Sequence, residues 1–135
     1  MRPTTFKISL LLLGIMPLIA ADVVAVLALR AVQLQNAADA AARGALYELK
    51  HGKADWVAAG KADSALNGFS DGLNGVTIVI EYPPASGFAS GDTAAVRAVL
   101  LQRIPGSFMG WTNRWGPVIR RSAVAKQVTR PIGRR

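Results

Sequence analysis

Side chains that commonly perform chemistry are scarce in this chain, which has no cysteine and a single histidine, His51, among its 135 residues. Thiolate nucleophiles, disulfide frameworks and the common zinc ligand sets all lack their residues. His51 stands in a His51-Gly52 step that ends a helical pattern, between Lys50 and Lys53. That is the setting of a solvated loop histidine rather than of a general base. No glycine-rich phosphate loop, metal spacing or nucleophile signature occurs, so neither an enzyme nor a bound metal or cofactor is expected.

Charge is the chemistry that remains. Residues 1–93 hold seven Lys/Arg against eight Asp/Glu, whereas from Ala94 onward there are nine bases and no acid. Arg97, Arg103, Arg114, Arg120, Arg121, Lys126 and Arg130 are therefore candidate contacts for a polyanion: anionic lipid, surface polysaccharide or nucleic acid. The plainer alternative is a solvated basic face with a frayed Arg134–Arg135 end. Within PGSFMGWTNRWG (105–116), Phe108, Met109, Trp111 and Trp115 either cap a sheet or form an exposed patch for a partner or a membrane surface. Trp111 and Trp115 among arginines would also suit single strands of nucleic acid.

These groups must be positioned by what precedes them. Ile8 to Leu29 is a run of twenty-two residues interrupted only by Ser9, Gly14, Pro17 and Asp22. A hydrocarbon core of about 30 Å needs roughly twenty helical residues, so the run is long enough to span a bilayer. The expected organisation is a basic arm at 1–7, a transmembrane helix at 8–29 and an exported domain at 30–135. The short arm favours an N-terminus retained inside, although Arg30, Arg43 and Lys50 compete with Arg2 and Lys7. A cleaved signal peptide is the competing reading, with Ala20 and Ala21 before the cut and Asp22 after it, but Ile19 or Leu18 is a poor fit two residues upstream. In a retained helix, Asp22 costs about 2.5–3.5 kcal/mol near the bilayer centre unless it shifts to the headgroups or pairs with a neighbouring subunit's cation. Pro17 frees the Leu13 carbonyl and, with Gly14 nearby, is expected to kink or loosen the helix.

The helical pattern continues to Lys50, where Leu27, Ala31, Leu34, Ala38, Ala41, Ala45 and Leu49 recur at spacings of three and four. This small-residue stripe packs either on the domain's own sheet or between subunits. Asp39 and Arg43 stand at i,i+4, the spacing of a weak ion pair. A second helix is expected over Ala54–Phe69 with Trp56, Val57, Leu66 and Phe69 in the core. Three strands follow. Val76–Tyr82 turns Val76, Ile78, Ile80 and Tyr82 to one side. Val96–Ile104 turns Val96, Ala98, Leu100 and Ile104 inward, against Arg97, Val99, Leu101 and Arg103. Val118–Val128 is a basic edge strand. Residues 83–92, rich in Pro, Gly and Ser, form a loop. The fold class is α+β: a long N-terminal helix, a second helix and a three-stranded antiparallel sheet.

The segment LQNAADAAARGA, Leu34 to Ala45, resembles the LQNAADAAALAGA segment of the TadE/TadG-like family of Flp (tight adherence) pilus-assembly proteins, which are similar to type IV pilins. The preceding apolar helix with Pro17 and Asp22, and the later VTIVIEY, AAVRAVLLQRIPGSF and RRSAVAKQV runs, are similar to the family's pattern. A prepilin processing site before the apolar run, and the added domain of the longer members, have no counterpart. The resemblance implies a single-pass inner-membrane protein whose periplasmic domain assembles, anchors or decorates an adhesive pilus. Its partners would be the membrane, other pilus-assembly proteins or pilin subunits, and further copies of itself. The residues implied for the membrane and assembly helix are Gly14, Pro17, Asp22, Leu27, Leu34, Ala38 and Asp39.

Overall fold

The computed structural model describes residues 3–104 and 116–128. Five elements follow in order: α1 (Pro3–Lys50), α2 (Trp56–Leu66), β1 (Val76–Glu81), β2 (Ala95–Arg103) and β3 (Val118–Lys126). The expected α+β architecture is present. Contacts divide the chain into two units, Met1–Val32 and Gln33–Arg135.

In the first unit α1 runs through Gly14 and Pro17 as one helix. Most of its described apolar side chains lie in the open, among them Leu11, Leu13, Met16, Val24, Val26 and Leu29, while Leu27 is half-buried and Ala31 is buried. From Leu13 the helix is long and apolar enough to cross a membrane, by length and composition.

The second unit is built on an antiparallel sheet with β2 in the middle, so β3 is an edge, as its charges predict, and β1 is the other. The register pairs Ile78 with Leu100 and Leu100 with Arg121, placing Val76, Ile78 and Ile80 on the same face as Ala98, Leu100 and Ala123. Against that face lie Leu34, Ala37, Ala38, Ala41 and Ala42 of α1, together with Phe69. Of the two destinations open to the alanine stripe, the domain's own sheet is the one observed. Gln35 Nε2 adds a tie by donating to the Ser122 carbonyl on edge strand β3 at 3.2 Å.

Several expectations need correction. Helix α2 ends at Leu66, short of Phe69, and Leu66 is 85% exposed rather than in the core. The face that α2 buries carries Gly60 and Ser64, small residues one turn apart. Phe69 reaches the core from the turn beyond the helix, where Ser64 Oγ donates to its carbonyl at 2.9 Å and its own N–H returns to the Ser64 carbonyl at 3.2 Å. A Cβ on Gly60 would stand 2.7 Å from the Ala41 carbonyl oxygen and 2.5 Å from Ile80 Cδ1, so only glycine permits this approach. Asp39 takes a donor from Gln35 at 3.5 Å, and no ion pair joins it to Arg43.

On β2, Val99 is buried although alternation places it on the outer face. The strand ends at Arg103, leaving Ile104 beyond it, and the inward position in between belongs to Gln102, which is 8% exposed. Its Oε1 has no hydrogen-bond partner among the described residues.

Candidate functional site

In the first unit, Gly14, Pro17 and Asp22 are exposed and Leu27 is half-buried. A Cβ at Gly14 would meet nothing within 4 Å. Helices in lipid associate through small residues, so Gly14 leaves room for close contact with another helix. Leu34 and Ala38 are different: both lie in the core of the second unit, while Asp39 is half-buried.

The described cations of β2 and β3 do not converge on one patch. Arg97 is held, its side chain 11% exposed, 3.6 Å from Glu81 and bonded through Nη1 to the Ser86 carbonyl at 3.2 Å and to the Ser86 hydroxyl. Lys126 is paired with Asp92 at 2.7 Å. Arg103 and Arg120 sit near the opposite end of the sheet, where Arg103 faces Val118 and Leu101 faces Arg120. Six residues of strand, about 20 Å, separate Arg97 from Arg103. Arg120 and Arg121 are exposed neighbours and therefore belong to opposite faces of the strand. Arg114, Arg130, Phe108, Met109, Trp111 and Trp115 lie outside the described residues.

Asp71 and Asp92 hold parts of this unit together. Asp71 Oδ1 accepts the Ile78 N–H of edge strand β1 at 2.8 Å, and its Oδ2 accepts Lys61 Nζ of α2 at 2.6 Å. These bonds, the lysine's first and the Ile78 N–H next, hold the Asp71 carboxyl below the usual range. Asp92 is lowered likewise, by Lys126 and then by the Ala94 N–H. Lys53 is raised by its hydrogen bond and ion pair with Glu48 at 2.7 Å.

His51 closes α1. Its Nδ1–H donates to the Tyr47 carbonyl at 2.7 Å, and the two rings stand 4.3 Å apart at their centroids. Among the described residues, no group of three His, Cys, Asp or Glu side chains is placed to hold a metal ion.

Two open grooves flank the last turns of α1. One lies toward α2 and is lined by Arg43, Gly44, Tyr47, Glu48, Ala59, Ala62 and Asp63. The other lies toward β3 and brings Arg43, Tyr47 and Lys50 up to Lys126. Sequence reading, drawn to the basic C-terminal half, missed the part of Arg43 and Lys50. The available signal was their spacing of i, i+4 and i+7 with Tyr47, which puts all three on one side of a helix.

No family model, curated protein or solved structure matches the chain.

Proposed function

We propose that this is a membrane-anchored, non-enzymatic structural or assembly protein of pilin-like design, acting in a Flp/Tad-type pilus. The observation that carries the reading is the contrast along α1. Most of its early apolar residues are left open, whereas Leu34 to Ala42 supply the stripe that a sheet covers. An apolar helix surface of that extent needs lipid or other apolar helices around it.

In this reading the N-terminal arm stays in the cytoplasm and the small domain is held on the periplasmic side. Work is done by packing: the apolar segment in a bundle or bilayer, with Gly14 at a close contact, and the domain against partner proteins or further copies. Asp22 rests near the outer headgroups or meets a cation on a neighbouring subunit, because it is costly deep in lipid. Support for the pilus assignment comes from the resemblance of Leu34 to Ala45 and its flanking runs to the TadE/TadG-like pattern.

Two measurements test this. The intact mass of the protein from the membrane fraction is expected to include the first twenty-nine residues; a soluble polypeptide beginning near Asp22 would overturn the anchor. Deleting Ile8–Leu29 is expected to abolish pilus assembly, and unchanged assembly would remove the structural role.

A further inference from the structure

The two ends of the sheet differ in charge. All eight Asp and Glu side chains of the chain belong to described residues, and none lies beyond Asp92. At one end Glu81 and Asp92 hold Arg97 and Lys126. The last turns of α1 lie at that end, where Asp63 of α2 stands against Gly44 and Glu48 pairs with Lys53. The other end carries Arg103, Arg120 and Arg121, all exposed, and no side-chain carboxylate. The acids nearest to it are engaged elsewhere: Asp71 holds Lys61 and the Ile78 N–H at the far edge of the sheet, and Asp39 takes the Gln35 amide from one turn further along α1. Neither Arg120 nor Arg121 makes an ion pair among the described residues; Arg121 Nη1 donates to the Arg120 carbonyl at 3.2 Å.

The chain enters the domain at this arginine end. Gln35 meets Ser122, whereas Arg43, Tyr47 and Lys50 meet Val124 to Lys126, so α1 runs along β3 from the arginines toward the mixed end. Arg120 and Arg121 belong to opposite faces of their strand, so a ligand lying on either face meets only one of them. A plane laid across the end of the sheet meets both, and Arg103 with them, over a span of about 11 Å. Connectivity brings such a plane close. The apolar run ends at Leu29, six residues before Gln35, a tether of at most about 20 Å even when fully drawn out. With that run in a bilayer, the arginine end stays within reach of the headgroups, at an effective concentration that a free polyanion does not share. Anionic headgroups attract Lys and Arg side chains held within a screening length of the surface. We infer that the domain docks end-on upon anionic lipid around its own anchor, through Arg103, Arg120 and Arg121, with the 83–92 loop turned away from the bilayer. The inference rests on the membrane-anchored reading and adds to it a second, electrostatic contact that orients the domain.

Because the chain has no cysteine, single labels can be placed on the full-length protein, reconstituted in phosphatidylcholine vesicles with or without phosphatidylglycerol at one lipid in four. A bimane on Thr77→Cys reads the arginine end, since Thr77, Leu101 and Arg120 are aligned across the sheet. A bimane on Phe88→Cys, at a site 93% exposed in the 83–92 loop, reads the other. Quenching by nitroxide-headgroup lipid is expected to rise at the Thr77 site when phosphatidylglycerol is present and to stay low at the Phe88 site. Arg120→Gln/Arg121→Gln should lower the docked-to-undocked ratio about thirtyfold and abolish that rise. Arg120→Lys/Arg121→Lys should keep it, which separates lost charge from misfolding. Raising salt from 0.1 to 1 M shortens the screening length from about 10 to 3 Å and should abolish the rise as well. Quenching at the Thr77 site that ignores phosphatidylglycerol, a rise that survives Arg120→Gln/Arg121→Gln, or equal quenching at the Phe88 site would each overturn the docking. Loss of the rise to a sulfated polysaccharide or an oligothymidine at matched charge would assign the arginines to a soluble polyanion and overturn it too. Retention on phosphatidylcholine vesicles through a carbonate wash reads the anchor separately: protein retained without a phosphatidylglycerol response refutes the docking alone, and protein washed off refutes the anchor beneath it.

Discussion

Replacing Gly60 by alanine sets two effects against each other at one position. Alanine favours a helix interior by about 1 kcal/mol over glycine. At Gly60, however, the added Cβ would lie 2.7 Å from the Ala41 carbonyl oxygen, 2.5 Å from Ile80 Cδ1 and 3.0 Å from Ala45 Cβ. Ile80 can rotate, but a backbone oxygen inside α1 moves only with its helix. To restore ordinary contact the two helices must part by roughly half an ångström, and overpacking of this kind costs about 1–3 kcal/mol. The upper end applies because backbone blocks the way, leaving a net loss of about 2 kcal/mol. For a domain of this size that is a fall in Tm of roughly 8–15 °C. Gly44→Ala is the internal comparison: its Cβ would meet the Asp63 carboxylate, the mobile end of a side chain, so the change should fall within about 1 kcal/mol of neutral. The assay is thermal unfolding of the full chain in one detergent, followed by near-ultraviolet circular dichroism. A Gly60→Ala protein as stable as the parent would refute the close-packing account of how α2 sits on α1.

The buried Gln102 offers the opposite outcome. Its Oε1 is unpartnered, so Gln102→Met should stabilise the fold by about 1 kcal/mol, read as a raised urea midpoint with unchanged slope; destabilisation would mean that the carbonyl is satisfied after all. Asp71→Asn keeps the shape but removes the negative charge that accepts the Lys61 ammonium, and should cost on the order of 1 kcal/mol after discounting for solvent screening. Because the folded carboxyls of Asp71 and Asp92 are lowered, their stabilisation is complete above the ordinary value of 3.8 and is lost as pH falls through the lower folded values. An acid titration of stability should accordingly steepen below about pH 4 and soften in Asp71→Asn, and an unaltered acid limb would count against the Asp71 assignment.

Periodicity alone determined much of this protein. The long apolar run from Ile8 to Leu29 identified a helix able to cross a bilayer, because length and composition are sufficient for that. The three-and-four spacing of Leu34, Ala38, Ala41 and Ala45 marked a packing stripe, and alternation marked Val76, Ile78, Ala98 and Leu100 as one face of a sheet. The absence of cysteine removed thiolate chemistry without any coordinates. Each of these is a local property, carried by neighbours in the chain.

Tertiary structure decided what those surfaces meet. The alanine stripe could serve a sheet or another subunit, and only the packed domain placed it on β1, β2 and β3. Leu66 looked like core because it is large and apolar, yet the buried side of α2 belongs to Gly60 and Ser64, whose smallness allows close approach but gives almost no hydropathy signal. Gln102 is interior because strand alternation puts it there, whatever its polarity. The basic residues of the C-terminal half formed one group in the sequence, but Arg97 is spent on Glu81 and Ser86, while Lys126 joins Arg43 and Lys50 from a distant helix. Charge is visible residue by residue, whereas its convergence or cancellation depends on distances that only the folded chain sets.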